Sequence, residues 1–351
     1  MFGQAKRKIL ALSVIISTIL SSCIEATEDF SSYEIKGETQ GTTYSIIIVD
    51  ENVSVTKQEI DSIFSKFDNS LSTYVPNSVI SKLNFGIGTS RVEDESGFFK
   101  RCYQLSQTIY SKSKGAFDPS VFPLVKGWGF MTNMESPLSQ HEVDSLIAFV
   151  SFEPGLLHDV VFDKKTIELA KKHPNFKIDF NAIAQGLSVD VIDEFLAKKG
   201  YKNYYVEIGG ELIVRGHNRE GSVWRIGVDV PKENLTNREL ENVLFLTEKA
   251  VATSGNYRKF YEVDGKKYAH TLNPKTGFPV QHSLLSATVI ADDAATADGY
   301  ATVFMVLGVE KSLQFVQENS DLGLEVYLLY TDESGKILRK MSSNFSKYLN
   351  H

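Results

Sequence analysis

Asp298 and Thr302 stand four residues apart within Ser286–Gly308 (SATVIADDAATADGYATVFMVLG), so on a helix they share one face. A carboxylate and a hydroxyl stacked on one face are two hard oxygen ligands, a set that suits Mg²⁺ when substrate phosphates complete its shell. The same spacing also fits an N-cap aspartate followed by an ordinary solvated Asp/Thr pair. Four other stretches hold groups able to do chemistry. Asp179 ends an expected strand just before a turn into a helix, as a site carboxylate or as a helix cap. Asn181–Gln185 lies at that helix start, where a backbone carbonyl can reach a metal. Ala116-Phe117-Asp118-Pro119 combines a ring with a carboxylate, as a ring-binding loop does, although a buried Phe in a turn reads the same way. His270-Thr271-Leu272-Asn273-Pro274-Lys275-Thr276-Gly277 puts an imidazole, hydroxyls and N–H groups in one loop. His270 there is either a proton acceptor for a hydroxyl nucleophile or a structural strand-end histidine.

Common catalytic signatures are missing. There is no Walker loop, G-x-G-x-x-G, G-x-S-x-G elbow or H-E-x-x-H, and the seven histidines show no zinc-ligand spacing. A site in this chain is therefore built from carboxylates, hydroxyls and backbone, which favours a phosphate-bearing substrate with Mg²⁺.

The elements that must position these groups follow from periodicity. Ala287 and Val289 alternate as a strand into the Asp298 helix, which Gly308 closes. Thr42–Val49 is a β-branched strand. Thr56-x-x-Glu59 caps a helix predicted to run to Tyr74, with Ile60, Ile63, Phe64, Phe67 and Leu71 on one face. Phe98, Cys102, Leu105 and Ile109 mark a second helix, stopped at Gly115. Ser139-x-x-Glu142 caps a third. A hairpin is expected over His158–Asp163 and Thr166–Leu169, a strand over Phe176–Phe180, and a helix from Asn181 to Gly200. Strands are expected at Tyr204–Ile208, Glu211–Arg215, Val223–Asp229 and Val243–Thr247. Arg258–Val263 and Lys266–Thr271 flank Asp264-Gly265, a strong hairpin turn. A helix near Glu310–Glu318 and strands at Leu324–Tyr330 and Ile337–Met341 end the chain. Paired strands interrupted by single helices argue an α+β fold with mixed, largely antiparallel sheets. At 351 residues this is one large unit of two intimately packed lobes.

Residues 1–22 are expected to be a lipoprotein signal peptide. Lys6, Arg7 and Lys8 precede the 12-residue apolar run Ile9–Leu20, too short to span a bilayer. Leu20-Ser21-Ser22-Cys23 resembles a bacterial lipobox. Cys23 would then carry acyl chains, and residues 23–32 would be a lipidated tether holding the 33–351 domain outside the cytoplasm. The remaining cysteine, Cys102, is expected in the core, with no internal disulfide. The net charge of −7, more negative once the leader goes, argues against a nucleic-acid partner.

From Gly41 to about Gly308 the chain resembles the FAD:protein FMN transferases of the ApbE family. The matching pieces run in order: Gly41-Thr42-Thr43-Tyr44, Ser72-Thr73-Tyr74, Phe117-Asp118-Pro119 with Trp128-Gly129-Phe130, and Asp179 with Gln185-Gly186. Glu207-Ile208-Gly209-Gly210-Glu211, Ser254-Gly255, His270 through Pro279 and Ala297-Asp298-Gly299-Tyr300-Ala301-Thr302 complete them. The resemblance implies Mg²⁺ held by the Asp298 and Thr302 side chains and the Ala182 carbonyl. It implies FAD contacts at Tyr74, Ala116, Phe117, Asp118, Asp179, Gln185, His270 and Leu272, with Gln40 and Thr276 in the same shell. Gln185 stands where the family commonly has Lys or Glu, and Gln40 where Met is frequent. The implied activity is Mg²⁺-dependent transfer of FMN from FAD to a Thr or Ser hydroxyl of extracytoplasmic flavoproteins, releasing AMP. His270 or Asp298 would take the proton. Subunits of sodium-pumping quinone reductases and related complexes are the implied acceptors, met by a lipoprotein facing the periplasm. FAD hydrolysis to FMN and AMP, and FAD binding without chemistry, are the other readings.

Overall fold

The computed structural model describes residues 31–130, 136–231, 239–256, 260–263 and 266–349. The signal peptide, Cys23, most of the tether and the Asp264-Gly265 turn lie outside the described residues. In chain order, β1 (Ser32–Thr39) and β2 (Thr42–Val49) form an antiparallel pair. Helices α1 (Lys57–Leu71) and α2 (Val79–Phe85), strand β3 (Thr89–Glu93) and helix α3 (Phe98–Lys112) follow. Then come α4 (Phe122–Gly127), α5 (Gln140–Ile147), the hairpin β4 (His158–Asp163) and β5 (Thr166–Lys171), and α6 (Ala184–Lys198). Strands β6 (Tyr204–Ile208), β7 (Glu211–Arg215), β8 (Trp224–Asp229), β9 (Leu240–Leu246) and β10 (Lys249–Gly255) lead to the pair β11 (Phe260–Val263) and β12 (Lys266–Ala269). The chain closes with β13 (Leu284–Ala291), α7 (Ala294–Leu307), α8 (Val309–Glu318), β14 (Glu325–Thr331) and β15 (Ile337–Met341).

Eight strands join one antiparallel sheet in the order β1-β2-β6-β7-β10-β13-β14-β15, flanked by the three-stranded β3-β5-β4 and the pair β8-β9. The α+β, largely antiparallel architecture is the one the periodicity predicts. Strand alternation sorts the residues of the large sheet to its two faces. On β2, Tyr44, Ile46 and Ile48 turn inward to a core shared with Ile60 and Phe64 of α1 and Val189, Ile192 and Leu196 of α6. On the opposite face Trp224, Ile226 and Val228 of β8 pack with Leu212, Val214 and Val251. The main core runs without a break from Leu83, Phe99 and Leu169 through Leu187 to Val289, Phe304 and Leu328. That continuity packs the β3-β5-β4 region against the helical face of the large sheet, and Cys102 sits fully buried within it.

Local chemistry starts and stops the elements as expected. Thr56 and Glu59, and Ser139 and Glu142, each complete a reciprocal capping box, typically about 1 kcal/mol per cap. Asp293 caps α7 by accepting from Thr296 N at 2.8 Å, and Gly308 ends it at φ 77°. Differences have identifiable causes. α1 stops at Leu71, short of Tyr74, because Ser72 turns to extended backbone. Residues 176–180 form no strand: Asn84 donates from Nδ2 to Ile178 O at 2.7 Å and accepts from Ile178 N at 2.8 Å, so a side chain replaces the strand partner. Helices α2 and α4 and strands β1, β3 and β10 go beyond the expected elements. Among the described residues no helix is long and apolar enough to cross a membrane.

Candidate functional site

The crossing of α6 and α7 fixes Asp298. A Cβ added to Gly186 would lie 2.4 Å from Ala294 O, so glycine lets the two helices approach backbone to backbone. Two clasps lock the crossing. Gly186 N donates to Asp298 Oδ2 at 3.0 Å, and Asp190 accepts from Ala294 N at 2.7 Å and Ala295 N at 2.9 Å. The two lie one turn apart along each helix, so α7 cannot rotate without breaking one of them. Asp298 is only 7% exposed, which removes the solvated-pair reading of its sequence. Burial pushes its carboxyl up to about 7 against the pull of the Gly186 N–H, and no Lys or Arg ion-pairs with it among the described residues. Burial, then the Asp293 charge, likewise carries Asp190 to about 8. Burial raises the Cys102 thiol, and the charges of Asp298 and Asp179 add to that.

Asp179 and Asp118 hold the facing wall. Asp179 N donates to Pro119 O at 2.7 Å, tying the two loops together. Asp179 accepts from Asn181 N at 2.8 Å and from Asn181 Nδ2 at 3.3 Å, which fixes the 181–183 turn carrying the Ala182 carbonyl. Asp118 accepts from Ser120 N at 2.8 Å, Ser120 Oγ at 2.5 Å and Phe152 N at 3.3 Å. Burial pushes both carboxyls up to about 6 despite these donors. Gln185 reaches the other strand ends, since a Cβ on Gly209 would meet its Nε2 at 2.8 Å and Thr42 Cγ2 at 3.0 Å.

The His270 loop is tied to the body at Thr271 and Gly277 and is braced within itself. Thr271 Oγ1 donates to Asn256 Oδ1 at 2.8 Å, Gly277 N to Asn273 O at 2.8 Å and Val280 N to Thr271 O at 3.0 Å. The buried Trp128 indole donates from Nε1 to Gly277 O at 2.8 Å. Trp128→Phe strands that carbonyl in an apolar pocket and should cost about 1–3 kcal/mol of stability. Chemical denaturation reads this loss, and the loosened loop should raise the Michaelis constant for the nucleotide more than it lowers kcat.

One cleft of about 1690 Å³ collects nearly all the expected site residues. Tyr74, Ala116, Phe117, Asp118, Asp179, Ala182, Gln185, His270, Leu272, Asp298 and Thr302 line it. Tyr74 is 69% exposed, in keeping with a place at the rim. Gln40 and Thr276 are not brought to its wall. Gln40 Oε1 accepts from Ser188 Oγ at 3.4 Å, and Thr276 is exposed in the turn closed by Asn273. Among the described residues no group of three His, Cys, Asp or Glu side chains is set to hold an ion. The ligand set implied by the resemblance, the Asp298 carboxylate, the Thr302 hydroxyl and the Ala182 carbonyl, lies on this one cleft. That all-oxygen set fits Mg²⁺, and Asp298 Oδ1, without a hydrogen bond among the described residues, is available for it. Sequence reading missed the lining from β8 and from Asn218-Arg219-Glu220, which carry no recognisable motif.

Comparison with known proteins identifies the family of the chain. A family model described as the ApbE family matches residues 40–328. A curated FAD:protein FMN transferase of Haemophilus influenzae is 33% identical over 344 residues, 96% of each chain. Its counterpart in Klebsiella pneumoniae is 33% identical over 94% of each chain. Among solved structures, the flavin transferase ApbE from Vibrio cholerae superposes with a TM-score of 0.79 at 29% identity, covering 91% of this chain and all of that one.

Proposed function

The chain belongs to the ApbE family and is a flavin-transferring enzyme, and on that premise we propose that it moves the FMN half of FAD onto a Thr or Ser hydroxyl of an extracytoplasmic flavoprotein, releasing AMP and requiring Mg²⁺. The observation that carries this reading is the convergence of Asp298, Thr302, the 181–183 turn and His270 on one cleft. A buried carboxylate held by one N–H and no side-chain cation is a costly arrangement unless a cation joins it. Bound there, Mg²⁺ would supply charge neutralisation at the diphosphate.

The chain's own groups divide the remaining work. Asp179 holds the turn that presents Ala182. Gly186 holds Asp298 in register, and the stitched loop holds His270. His270 takes the proton from the acceptor hydroxyl, whose oxygen bonds to the FMN phosphorus as the bond from that phosphorus to the AMP oxygen breaks. AMP leaves with that bridging oxygen. Incubation with FAD, Mg²⁺ and the flavoprotein subunit of a sodium-pumping quinone reductase, followed by mass spectrometry, tests the reading. Covalent FMN on a Thr or Ser with one AMP per transfer supports it. Free FMN plus AMP identifies a pyrophosphatase, and unchanged FAD identifies a binding protein.

The signal-like segment adds a location. Lys6–Lys8, Ile9–Leu20 and Cys23 are suited to a lipoprotein anchored at the periplasmic side of the envelope. Cys23→Ser is expected to release the protein from membranes with catalysis intact in a soluble assay. Wild-type protein that fractionates as soluble, or lacks acyl mass at Cys23, overturns the anchor.

A further inference from the structure

We infer that the acceptor segment docks as an added β-strand along the edge of β8 opposite β9, in a half of the cleft distinct from the nucleotide half. This rests on the flavin-transfer reading above and names where its protein substrate sits. The cleft does not end at the strand tips where Gln185 meets Gly209 and Thr42. It continues along the face of the large sheet that points away from α1 and α6. On β2 that face carries Thr43, Ser45 and Ile47, and all three line the cleft. Glu34 and Tyr205, the register partners of Ile47, and Glu207, the partner of Ser45, line it as well. From Thr43 to Ile47 this extends the cleft by about 13 Å at the usual rise of a strand. None of the expected FAD-contacting residues lies in this half. A cleft of about 1690 Å³ also exceeds the roughly 300–1,000 Å³ usual for one small-molecule site, leaving room for a second occupant.

The opposite wall of this half is β8, and it presents an edge. Every residue from Trp224 to Asp229 lines the cleft. Side chains along a strand alternate between faces, so an unbroken run of six facing one cavity means that the backbone edge itself is turned toward it. β8 pairs with β9 on one side, and among the described residues no strand pairs with its other side. The strand is held firmly, with Trp224, Ile226 and Val228 in the core below and Trp224 Nε1 donating to Arg215 O at 3.0 Å. At Gly227 the missing side chain makes room for Leu240 of β9, since a Cβ there would lie 2.7 Å from Leu240 Cδ2. An unpaired strand edge is ordinarily blunted against unwanted pairing; here it lies in the same cleft as Asp298 and His270. Strand addition draws affinity from main-chain hydrogen bonds and selectivity from alternate side chains, which suits an extended acceptor segment that must deliver one hydroxyl.

Hydrogen exchange on the mature enzyme tests this in three arms: with FAD and Mg²⁺ alone, with the quinone-reductase flavoprotein subunit added, and with that subunit added to Arg225→Pro and Arg225→Ala. The amides of 224–229 should gain at least tenfold protection only when the acceptor is present. Arg225→Pro alters the edge backbone and should raise the acceptor Michaelis constant at least tenfold with FAD affinity retained. Arg225→Ala, which keeps the amide, should cost clearly less. Protection of 224–229 by FAD alone assigns this half to the nucleotide and overturns the inference, as does transfer with no added protection there. Equal losses in the two variants point to the guanidinium and overturn strand addition. Loss of β9 protection in Arg225→Pro before any ligand is added shows a broken hairpin, and the wild-type exchange arms then decide. Free FMN and AMP with no covalent product removes the acceptor, and with it both this inference and the transfer reading.

Discussion

Asp298→Asn is expected to lower FMN transfer by about 10³-fold while the chain stays folded. Asn has the same volume and an oxygen that can still accept from Gly186 N, so the α6–α7 clasp survives. What is lost is the charge. Charge stabilisation by a bound metal is worth several kcal/mol, and each 1.36 kcal/mol is about a factor of ten in rate. The stability of the metal-free protein should move the opposite way. Burial raises the folded carboxyl from its ordinary 3.8 to about 7, so the folded chain binds a proton that the unfolded chain has released between those values. Wild-type stability therefore falls as pH rises through that window and stays reduced above it. Asn carries no such penalty, so at pH 8 without metal the variant should melt higher than wild type, and below about pH 4 the two should converge. Added Mg²⁺ should raise the melting temperature of wild type only. Wild-type transfer rates in Asp298→Asn at ordinary Mg²⁺ concentrations sink the metal assignment.

The parts of this site written in local sequence were legible, and those made by distant contacts were not. Thr56 with Glu59 and Ser139 with Glu142 announce their helices because both partners of each cap lie within one turn. Asp298 and Thr302 announce a shared face for the same reason. The burial of Asp298 comes from Gly186, which lies 112 residues away and whose missing side chain lets the helices touch. Residues 176–180 read as a strand because Phe176, Ile178 and Phe180 alternate and are all buried. Only the tertiary structure shows that Asn84 occupies the backbone groups a neighbouring strand would need. Trp128 reads as one aromatic among many until its indole is seen holding Gly277 O across 149 residues. The ordered motifs from Gly41 to Thr302 supplied residues that line one cleft, while Gln40 and Thr276 lie off its wall.

His270→Ala is expected to reduce transfer by about 10²–10⁴-fold, the usual worth of a positioned general base, with FAD affinity changed much less. The hydroxyl of Thr or Ser is a poor nucleophile until its proton is taken. His270 stands at the head of a loop held by Asn256, Asn273 and Trp128, so its backbone position is set before substrate arrives. It lines the same cleft as Asp298 and Thr302. If it is the base, wild-type transfer should fall on acidification as the imidazole takes up a proton, with FAD still bound, and the Ala variant should lose that limb of the profile. Fluorescence titration of FAD, run beside transfer assays at saturating FAD, separates rate from binding. A variant that binds FAD weakly but recovers its rate at saturation has lost only a wall of the flavin pocket. That result moves proton acceptance to Asp298 or to a metal-bound hydroxide, either of which should leave an acid limb that His270→Ala does not abolish.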